Sequence, residues 1–433
     1  MSRMKATIQF LHSPRAADLF FQLYGDDKDV LKKQASRYER LVEEFVSHFS
    51  DGDIFLFSTP GRTEIGGNHT DHNHGRVLAA SVDLDSIAAA ARTDDSTVTV
   101  YSEGYAEPFR VRLDDLARKQ EEVGSTSALL RGIASGLVEK GYSVGGFNAC
   151  VMSDVLVGSG LSSSASVEVL IGTVFNVLFN GGKIPAKTIA KIGQYAENVY
   201  FGKPCGLMDQ TTCAVGGIVT IDFQKPEEPV VEKIDFDFGV KNYRLLVVDT
   251  GGNHADLTED YAAVPREMKS VAEKLGGRVL RDVEESAVLN RIGGLRTAVG
   301  DRALLRALHF FEDNERVLEQ VDALRGGRFD RFLALVNASG NSSFKWLQNC
   351  YTTKNTSEQG VSLALALTEK YIEKVGEGAC RVHGGGFAGT IQVFLPVGHL
   401  EGYVTIMEGV FGEGSVRVLR IRPTGTICLY GTE

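Results

Sequence analysis

The sequence predicts a protein of mixed α and β structure with two domains, and three observations support this prediction. The chain has 433 residues, which is more than one ordinary hydrophobic core and suits two domains of roughly 150 to 230 residues each. Apolar residues at helical spacing alternate along the chain with short strand-like runs. Hydrophobic residues make up 43% and charged residues 24% of the chain, which is typical of a folded globular protein.

The helices and strands follow from these spacings. A helical segment is predicted at about residues 15–49, because Leu31, Tyr38 and Phe45 recur at helical spacing among charged neighbours. The other predicted helices are 126–140, one after Ser164, 185–200, 260–275, 301–324 and 357–375. The predicted strands are 54–57, 86–91, 97–101, 109–113, 218–223, 245–248, 390–395 and 415–421.

A polar stretch with proline and glutamate at 224–232 separates two strand-like runs, so we place a domain boundary near residue 240. The N-terminal domain then spans residues 1–240, including the extra helical segment, and the C-terminal domain spans 241–433.

Charge and cysteine content narrow the possible functions. The formal net charge is −10 and no block of Lys or Arg occurs, so a nucleic-acid backbone would be repelled. The six cysteines are scattered without a C-x-x-C pair, which predicts free thiols in a reducing compartment. No apolar run reaches the ~18 residues of a membrane span. We therefore expect a cytoplasmic protein without membrane or nucleic-acid partners.

The most informative segment, at 158–166, places a loop of small residues directly before a helix with a buried apolar stripe. Such a loop exposes backbone N–H groups at the positive end of a helix dipole, which suits a phosphate. A flexible loop with a serine N-cap is the alternative. The segment is neither a Walker A loop nor a G-x-S-x-G elbow. The candidate phosphate-binding residues are Gly158, Ser159, Gly160, Leu161, Ser162, Ser163, Ser164 and Ala165.

Two further segments are rich in glycine. Residues 60–75 combine four glycines with many polar side chains, which suits the binding of a polyol; a solvated turn or a metal site of three histidines are the alternatives. Residues 383–389 formally match G-x-G-x-x-G, but a strand-like run follows instead of a helix, which disfavours a dinucleotide site. We expect there a tight turn between strands, placed against a ligand or against the first glycine loop.

These three segments, together with Pro204 to Gln210, resemble the motifs of the galactokinases within the GHMP kinase superfamily. The resemblance runs from about residue 55 to the C-terminus. It implies an α+β, two-domain GHMP kinase fold, with an N-terminal domain like ribosomal protein S5 domain 2, a ferredoxin-like C-terminal domain and an active site in the cleft between them.

The resemblance also implies roles for single residues. Asp209 would be the catalytic carboxylate and Arg62 would stabilise developing negative charge. Ser164 and Glu197 would bind Mg²⁺, and the glycine-serine loop would hold ATP phosphates facing Asp209. Taken alone, Asp209 could cap a helix and Glu197 could lie on a solvated helix face. The implied sugar-binding residues are Asn68, His69, Asp71, Gly206, Asp209 and Tyr261.

The implied reaction is ATP-dependent phosphorylation of the C1 hydroxyl of galactose. The expected partners are a small-molecule sugar and ATP, bound by a monomer or weak homodimer. A non-catalytic regulator that binds sugar and ATP is a competing possibility, although the serine loop, Arg62 and Asp209 are all present. A kinase for mevalonate or homoserine is disfavoured by the segment from Asn68 to Asn73.

Several positions depart from the galactokinase pattern and suggest a divergent branch. Asn68 replaces the glutamate that usually accepts a hydrogen bond from a sugar hydroxyl. Loss of that carboxylate removes a charge-assisted hydrogen bond and also removes repulsion against a negatively charged C6 group. The substitution therefore suggests a specificity broadened toward a C6-altered galactose, such as galacturonate, with galactose as the first choice.

Overall fold

The computed structural model describes residues 3–50, 52–155, 160–252 and 257–431. The strands within these residues are β1 Phe55–Gly66, β2 Arg76–Arg92, β3 Thr97–Ser102, β4 Phe109–Arg112, β5 Phe147–Ser153, β6 Ile218–Asp222, β7 Val230–Ile234, β8 Tyr243–Asp249, β9 Ala379–Val382, β10 Thr390–Pro396, β11 Val416–Leu419 and β12 Ile427–Tyr430.

The helices within the same residues are α1 Arg3–Leu11, α2 Pro14–Tyr24, α3 Lys28–Phe49, α4 Thr126–Glu139, α5 Ser163–Asn180, α6 Ala186–Tyr195, α7 Met208–Val215, α8 Thr258–Lys274, α9 Glu285–Asn290, α10 Ile292–Val299, α11 Asp301–Arg325, α12 Phe329–Ser342, α13 Gly360–Val375 and α14 Leu400–Phe411. The predicted mixture of α and β structure is confirmed.

The strands of the described residues form two sheets. The first has eight strands in the order β12-β1-β2-β5-β3-β4, with β6 attached to β2 and β7 attached to β6. Its pairings are antiparallel except that of β3 with β5. The second sheet has four antiparallel strands in the order β11-β8-β10-β9.

The chain passes from the first sheet to the second between β7 and β8, where residue 240 lies. Strand β12, near the C-terminus, returns to the first sheet and pairs with β1. The division into domains at residue 240 stays a proposal, and the sheet order adds that 427–430 belong with the N-terminal sheet.

Helices cover both faces of the first sheet. Successive residues of a strand point to opposite faces, and in β1 the side chain of Leu56 joins the core formed with α2 and α3, whereas Phe57 joins the core formed with α4 to α7. In β2, Ile87 and Ala88 divide between the same two cores. The N-terminal helices therefore form one of the two layers that bury this sheet.

The predicted N-terminal helical segment, 15–49, is corrected to more than one helix. The chain breaks between α2 and α3 at Gly25, whose φ of 89° lies in the left-handed region that glycine adopts easily. Ser13 and Asp27 accept hydrogen bonds from the first turns of α2 and α3, which is N-capping. Helix α1 precedes them and was not predicted.

A buried ionic cluster joins the N-terminal helices to the first sheet. Asp85 of β2 accepts hydrogen bonds from Arg37 Nη1 at 2.6 Å, Tyr24 Oη at 2.7 Å and Arg422 Nη1 at 3.2 Å, and also from the hydroxyl of Ser58. The side chains of Asp85 and Arg422 are fully buried. We call these five residues the anchor cluster, because they connect α2, α3, β1, β2 and the segment before β12.

Helix α5 is, among the described residues, long and apolar enough by composition to cross a membrane. Two thirds of it is buried inside the protein, where Val169, Leu170 and Phe175 belong to the core under the first sheet. Its apolar character is therefore explained by packing against the sheet. All six cysteines are free thiols, as predicted.

Candidate active site

Arg62 and Asp209 form the centre of the candidate site. Arg62 lies in β1, and Asp209 lies in the first turn of α7. The guanidinium donates two parallel hydrogen bonds to the carboxylate, from Nε to Oδ1 and from Nη2 to Oδ2, each at 2.7 Å. The Arg62 side chain is 9% exposed and that of Asp209 is 31% exposed. The pair is therefore ordered by the fold while the carboxylate remains accessible.

The glycine-serine loop lies against this pair. The hydroxyl of Ser162 donates a hydrogen bond to Asp209 Oδ2, and Nη1 of Arg62 donates one to the carbonyl of Gly160. The backbone N–H of Arg62 also donates to the carbonyl of Leu161 at 3.0 Å. The predicted proximity of the serine-bearing turn and Asp209 is thus present in the structure.

These contacts control the protonation of Asp209. Burial by itself would raise the pKa of its carboxyl, but the charge and hydrogen bonds of Arg62, with the hydroxyl of Ser162, hold the pKa below its usual value. A carboxylate stabilised in this way is ionised at neutral pH. Asp209 can therefore accept a proton or orient a hydroxyl that approaches its exposed edge.

The loop turns into α5 through two left-handed residues, Gly160 with φ 73° and Ser162 with φ 61°. A Cβ at Gly160 would lie 2.8 Å from Thr390 Oγ1 and 2.9 Å from His383 Nδ1, so glycine is required by close packing as well as by its φ. The helix begins at Ser163, and the backbone N–H groups of its first turn have no intrahelical acceptor. Of the predicted phosphate-binding residues, Gly158 and Ser159 lie outside the described residues.

The predicted magnesium pair is brought together. Ser164 Oγ donates a hydrogen bond to Glu197 Oε1 at 3.2 Å, and Lys203 Nζ lies 3.3 Å from the same oxygen. Gln210 Nε2 donates to Glu197 Oε2 at 3.0 Å and to the buried Glu168 at 2.9 Å. Glu197 is 2% exposed, so it does not lie on a solvated helix face. Gln210 and Glu168 were not predicted at this site.

Four of the predicted sugar-binding residues lie beside the turn of the third glycine segment or beside each other. His69 Nε2 donates a hydrogen bond to the carbonyl of Gly385 at 3.0 Å, and Tyr261 Oη donates to that of Gly386 at 2.7 Å. Burial, with His72 nearby, lowers the pKa of His69 to about 4, so its imidazole is neutral at pH 7. Gly206 approaches Asp71 so closely that a Cβ there would lie 2.2 Å from Asp71 Oδ2.

Asn68 is placed differently from the prediction. It is completely buried, and its Nδ2 donates to Glu64 Oε1 at 2.9 Å and to the carbonyl of Gly384 at 2.7 Å. Its Oδ1 accepts from Asn349 Nδ2 at 2.8 Å and from Ser343 Oγ at 3.2 Å. An amide has two donor hydrogens and two acceptor lone pairs, so no group remains for a sugar, and this placement does not support a direct contact.

The third glycine segment is a turn between β9 and β10, as predicted. Its flanking residues, His383 and Thr390, lie against Gly160 of the first loop, which is one of the two placements expected from the sequence. Burial, followed by the charges of Arg62 and Arg381, lowers the pKa of His383 to about 3. The neutral ring lies 3.0 Å from Thr63 Oγ1, so it links the two glycine-rich segments.

Glu64 and Arg381 are two further site residues that were not predicted from the sequence. Glu64 lies in β1 two residues after Arg62, and Arg381 Nη2 donates to its Oε1 at 2.7 Å. The available signal was the charge of Glu64, because strand β1 is buried along almost its whole length and charged residues are rarely buried without a partner. The charge of Arg381 could not be assigned to Glu64 from sequence, because 317 positions separate them. Among the described residues no group of three or more His, Cys, Asp and Glu could hold a metal.

Comparison with known proteins first identifies the class of protein to which this fold belongs. Residues 128–217 match the model of the GHMP kinases N terminal domain, and residues 43–92 match the galactokinase galactose-binding signature. A crystal structure of Lactococcus lactis galactokinase complexed with galactose has a TM-score of 0.75 and 23% identity, with coverage of 89% of this chain and 98% of that one. A Methanococcus jannaschii mevalonate kinase has a TM-score of 0.60, 15% identity, and coverage of 84% and 98%. The fold is that of the GHMP kinases.

Sequence relatives then give the family. The chain is 30% identical over 373 residues to the galactokinase of Streptomyces coelicolor, which covers 84% of this chain and 91% of that protein. It is also 30% identical over 380 residues to the galactokinase of Mannheimia succiniciproducens, with 86% and 91% covered. The chain therefore belongs to the galactokinase family.

Proposed function

We propose that this chain catalyses the ATP-dependent transfer of a phosphoryl group to the C1 hydroxyl of galactose, which yields galactose 1-phosphate and ADP. The observation that carries the proposal is the doubly hydrogen-bonded Arg62–Asp209 pair in contact with Ser162 of a glycine-serine loop. Membership of the galactokinase family supports the sugar substrate.

Asp209 acts on the acceptor hydroxyl. Its ionised carboxylate accepts the proton that the C1 hydroxyl loses as its oxygen bonds to phosphorus, and Arg62 stabilises negative charge on the transferred group. In a dissociative route Asp209 mainly orients the hydroxyl, and its contribution is then smaller. In either case the carboxylate is already held in position by Arg62 before substrate arrives, so little reorganisation accompanies the reaction.

The nucleotide phosphates bind at the start of α5. The segment 160–165 consists mostly of small residues, has left-handed backbone at Gly160 and Ser162, and leads into a helix first turn whose N–H groups have no acceptor within the helix, which suits negatively charged oxygens. Gly158 and Ser159, which lie outside the described residues, stay part of this proposal as predicted phosphate-binding residues.

Ser164 and Glu197 fit a magnesium ion, because they present a hydroxyl and a carboxylate oxygen 3.2 Å apart, and Mg²⁺ prefers oxygen ligands. When bound, the ion neutralises charge on the phosphate oxygens. We expect Glu197→Gln to weaken the activating effect of Mg²⁺ roughly tenfold or more, measured as the Mg²⁺ concentration for half-maximal ADP release. Glu228→Gln on the distant surface is the control, and an unchanged Mg²⁺ requirement in Glu197→Gln would remove this residue from the metal site.

On the sugar side, His69, Asp71, Gly206 and Tyr261 remain the candidate contacts. Asp71 is the most direct of these, because its carboxylate is only partly buried and lies against Gly206, three residues before Asp209. His69 and Tyr261 hold the 384–386 turn through its carbonyl groups, so they shape this side of the cleft whether or not they also contact the sugar.

The test is ADP release with MgATP and a panel of hexoses and uronates, followed by NMR of the product to locate the phosphate. Galactose-dependent ADP release with phosphate on C1 is the expected result. ATP binding without sugar-dependent turnover would instead indicate a non-catalytic regulator. Turnover of galacturonate above that of galactose would replace the substrate that we propose. A monomer or weak homodimer in the cytoplasm remains our expectation for the working enzyme.

A further inference from the structure

Strand β1 contains Glu64 as well as Arg62, and the two side chains point to the same face of the sheet. Residues 62 to 64 of β1 pair in regular register with residues 81 to 79 of β2, so side chains two apart point to the same face. Arg62 uses that face to contact Asp209, whereas Ile65 belongs to the core between the two sheets. Glu64 therefore emerges from the sheet on the face that carries the catalytic pair.

Within the described part of the chain, the Glu64 carboxylate has hydrogen-bond partners at one of its two oxygens. Oε1 accepts from Arg381 Nη2 at 2.7 Å and from Asn68 Nδ2 at 2.9 Å. Oε2 accepts no hydrogen bond from the described residues, and it is not among the polar atoms that are both unpartnered and fully enclosed. The side chain is 6% exposed. A buried carboxylate is thus fixed on one side and keeps a small open edge on the other.

The partial burial of Oε2 is unfavourable. A carboxylate oxygen that is largely removed from water without a donor costs free energy. Burial raises the pKa of Glu64 to about 7, although Arg381 and Asn68 oppose this. A donor that arrives with a substrate would offset the cost, and sugar hydroxyls are donors of the right kind.

We propose that Glu64 Oε2 accepts a hydrogen bond from a hydroxyl of the bound sugar and is a specificity-determining residue, an inference that rests on the proposed sugar kinase function. Asn68 has an indirect role in this arrangement. Its amide donates a hydrogen bond to Oε1 of Glu64, and its remaining hydrogen-bonding positions are used by other groups of the protein. The carboxylate expected to be lost at position 68 is therefore supplied from position 64.

This assignment argues against the broadening toward galacturonate that Asn68 alone suggested. Glu64, Asp71 and Asp209 bring three carboxylates to one part of the molecule; Arg381 pairs with Glu64 and Arg62 pairs with Asp209, so a net negative charge remains with Asp71. Like charges at close range disfavour an anionic ligand. The site therefore favours a neutral galactose over a galacturonate.

The test measures the effect of one substitution on a series of related substrates. Wild type and Glu64→Gln are compared with galactose and with its 2-, 3-, 4- and 6-deoxy derivatives, using kcat/KM from ADP release. A hydrogen bond to a charged group is worth about 10- to 100-fold. We expect Glu64→Gln to lose about that factor with galactose and to lose little with the one deoxy sugar that lacks the bonded hydroxyl. We also expect it to improve the ratio of galacturonate to galactose turnover.

Two results would overturn the assignment. An equal loss for every sugar would indicate a purely structural role through Arg381, and no loss for any sugar would indicate no role in binding. Glu64→Asp provides a second variant if Glu64→Gln does not fold, because it keeps the charge beside Arg381 and withdraws the oxygen by one methylene group. It should show the same pattern across the series.

Asp313→Asn is the matched control. Asp313 is another buried carboxylate, and it accepts the backbone N–H of Asn68 at 2.8 Å. Any effect of its substitution should be equal for all sugars. Wild-type turnover of galactose separates the two proposals: its absence would defeat the proposed function, whereas turnover with a flat pattern in Glu64→Gln would defeat only the role of Glu64.

Discussion

Asp85 and Asp209 are both aspartates held by arginine in the first half of the molecule, yet their surroundings differ. Asp85 is fully buried, and each of its carboxylate oxygens accepts hydrogen bonds from the anchor cluster. Asp209 has a comparable pairing with Arg62, but its side chain is 31% exposed. The same chemical pair therefore supports the fold where it is enclosed, and leaves a carboxylate accessible to a ligand where one edge is open.

The difference follows from the groups that surround each carboxylate. Around Asp85, helices α2 and α3 close the sheet and supply Tyr24 and Arg37. Around Asp209, the described residues that donate hydrogen bonds to the carboxylate are Arg62 and Ser162, and Ser162 lies on a turn with left-handed backbone just before α5. Four changes should sharpen or break this comparison.

Asp209→Asn should have the largest effect on activity. If Asp209 takes the proton, kcat falls by roughly 10²- to 10⁴-fold. The thermal unfolding temperature should fall less than in Asp85→Ala, because the asparagine oxygen can still accept a hydrogen bond from Arg62 and the position is partly solvated. Steady-state ADP release and calorimetry measure the two quantities. A small loss in kcat would favour the orienting role, and an unfolded variant would contradict the distinction from Asp85.

Asp85→Ala should have the opposite signature. Removal of one partner from a buried ionic cluster costs about 3–5 kcal/mol, because Arg37 and Arg422 are left without their shared carboxylate. Urea denaturation followed by far-UV circular dichroism measures the loss. The fraction that remains folded should keep its KM for galactose, and a loss below about 1 kcal/mol would show that the cluster does not anchor the helices.

The pH dependence of stability should separate buried carboxylates with opposite shifts. Burial opposes ionisation of Asp85, but Arg37 and Arg422 lower its pKa, so its contribution to stability is present above about pH 4 and lost as the pH falls further. The pKa of Glu64 is raised to about 7, so between about pH 4.5 and 7 the folded state binds more protons there and stability falls as the pH rises.

Glu64→Gln should therefore remove a slope of at most about 1.4 kcal/mol per pH unit in that interval. The measurement is the free energy of unfolding of wild type and variant from pH 4.5 to 7.5, with Asp313→Asn as the control. Parallel curves for wild type and Glu64→Gln would show that Glu64 ionises normally in the folded protein.

Tyr24→Phe should have the smallest effect. It removes one hydrogen bond to Asp85 while both arginines remain, which costs about 1 kcal/mol. Chemical denaturation should detect this change, and activity should be unaltered. A loss as large as that of Asp85→Ala would mean that Tyr24, rather than the arginines, holds the cluster together.

The spacing of apolar residues predicted many of the helices and strands, because these elements depend mainly on residues that are close in sequence. The apolar stripe after Ser164 is a helix because its spacing matches the helical period, and Asp209 was found through a segment of contiguous residues. The long strand β2 was only partly predicted, since its run of small residues gives little hydrophobic signal. Strand β12 was missed because four residues near a terminus become a strand only by pairing with β1.

The sequence by itself determined the helices and strands that have a clear apolar period, the loop before α5, the glycine turn at 383–389 and the family, because each depends on contiguous residues or on similarity along the chain. Only the tertiary structure decided that Asn68 is buried, that one oxygen of Glu64 has no hydrogen-bond donor among the residues that the structure describes, and that the N-terminal helices enclose Asp85. The physical reason is that hydrogen bonds and burial at these places depend on Arg381, Asn349 and Arg422, which lie hundreds of residues away and become neighbours only through folding.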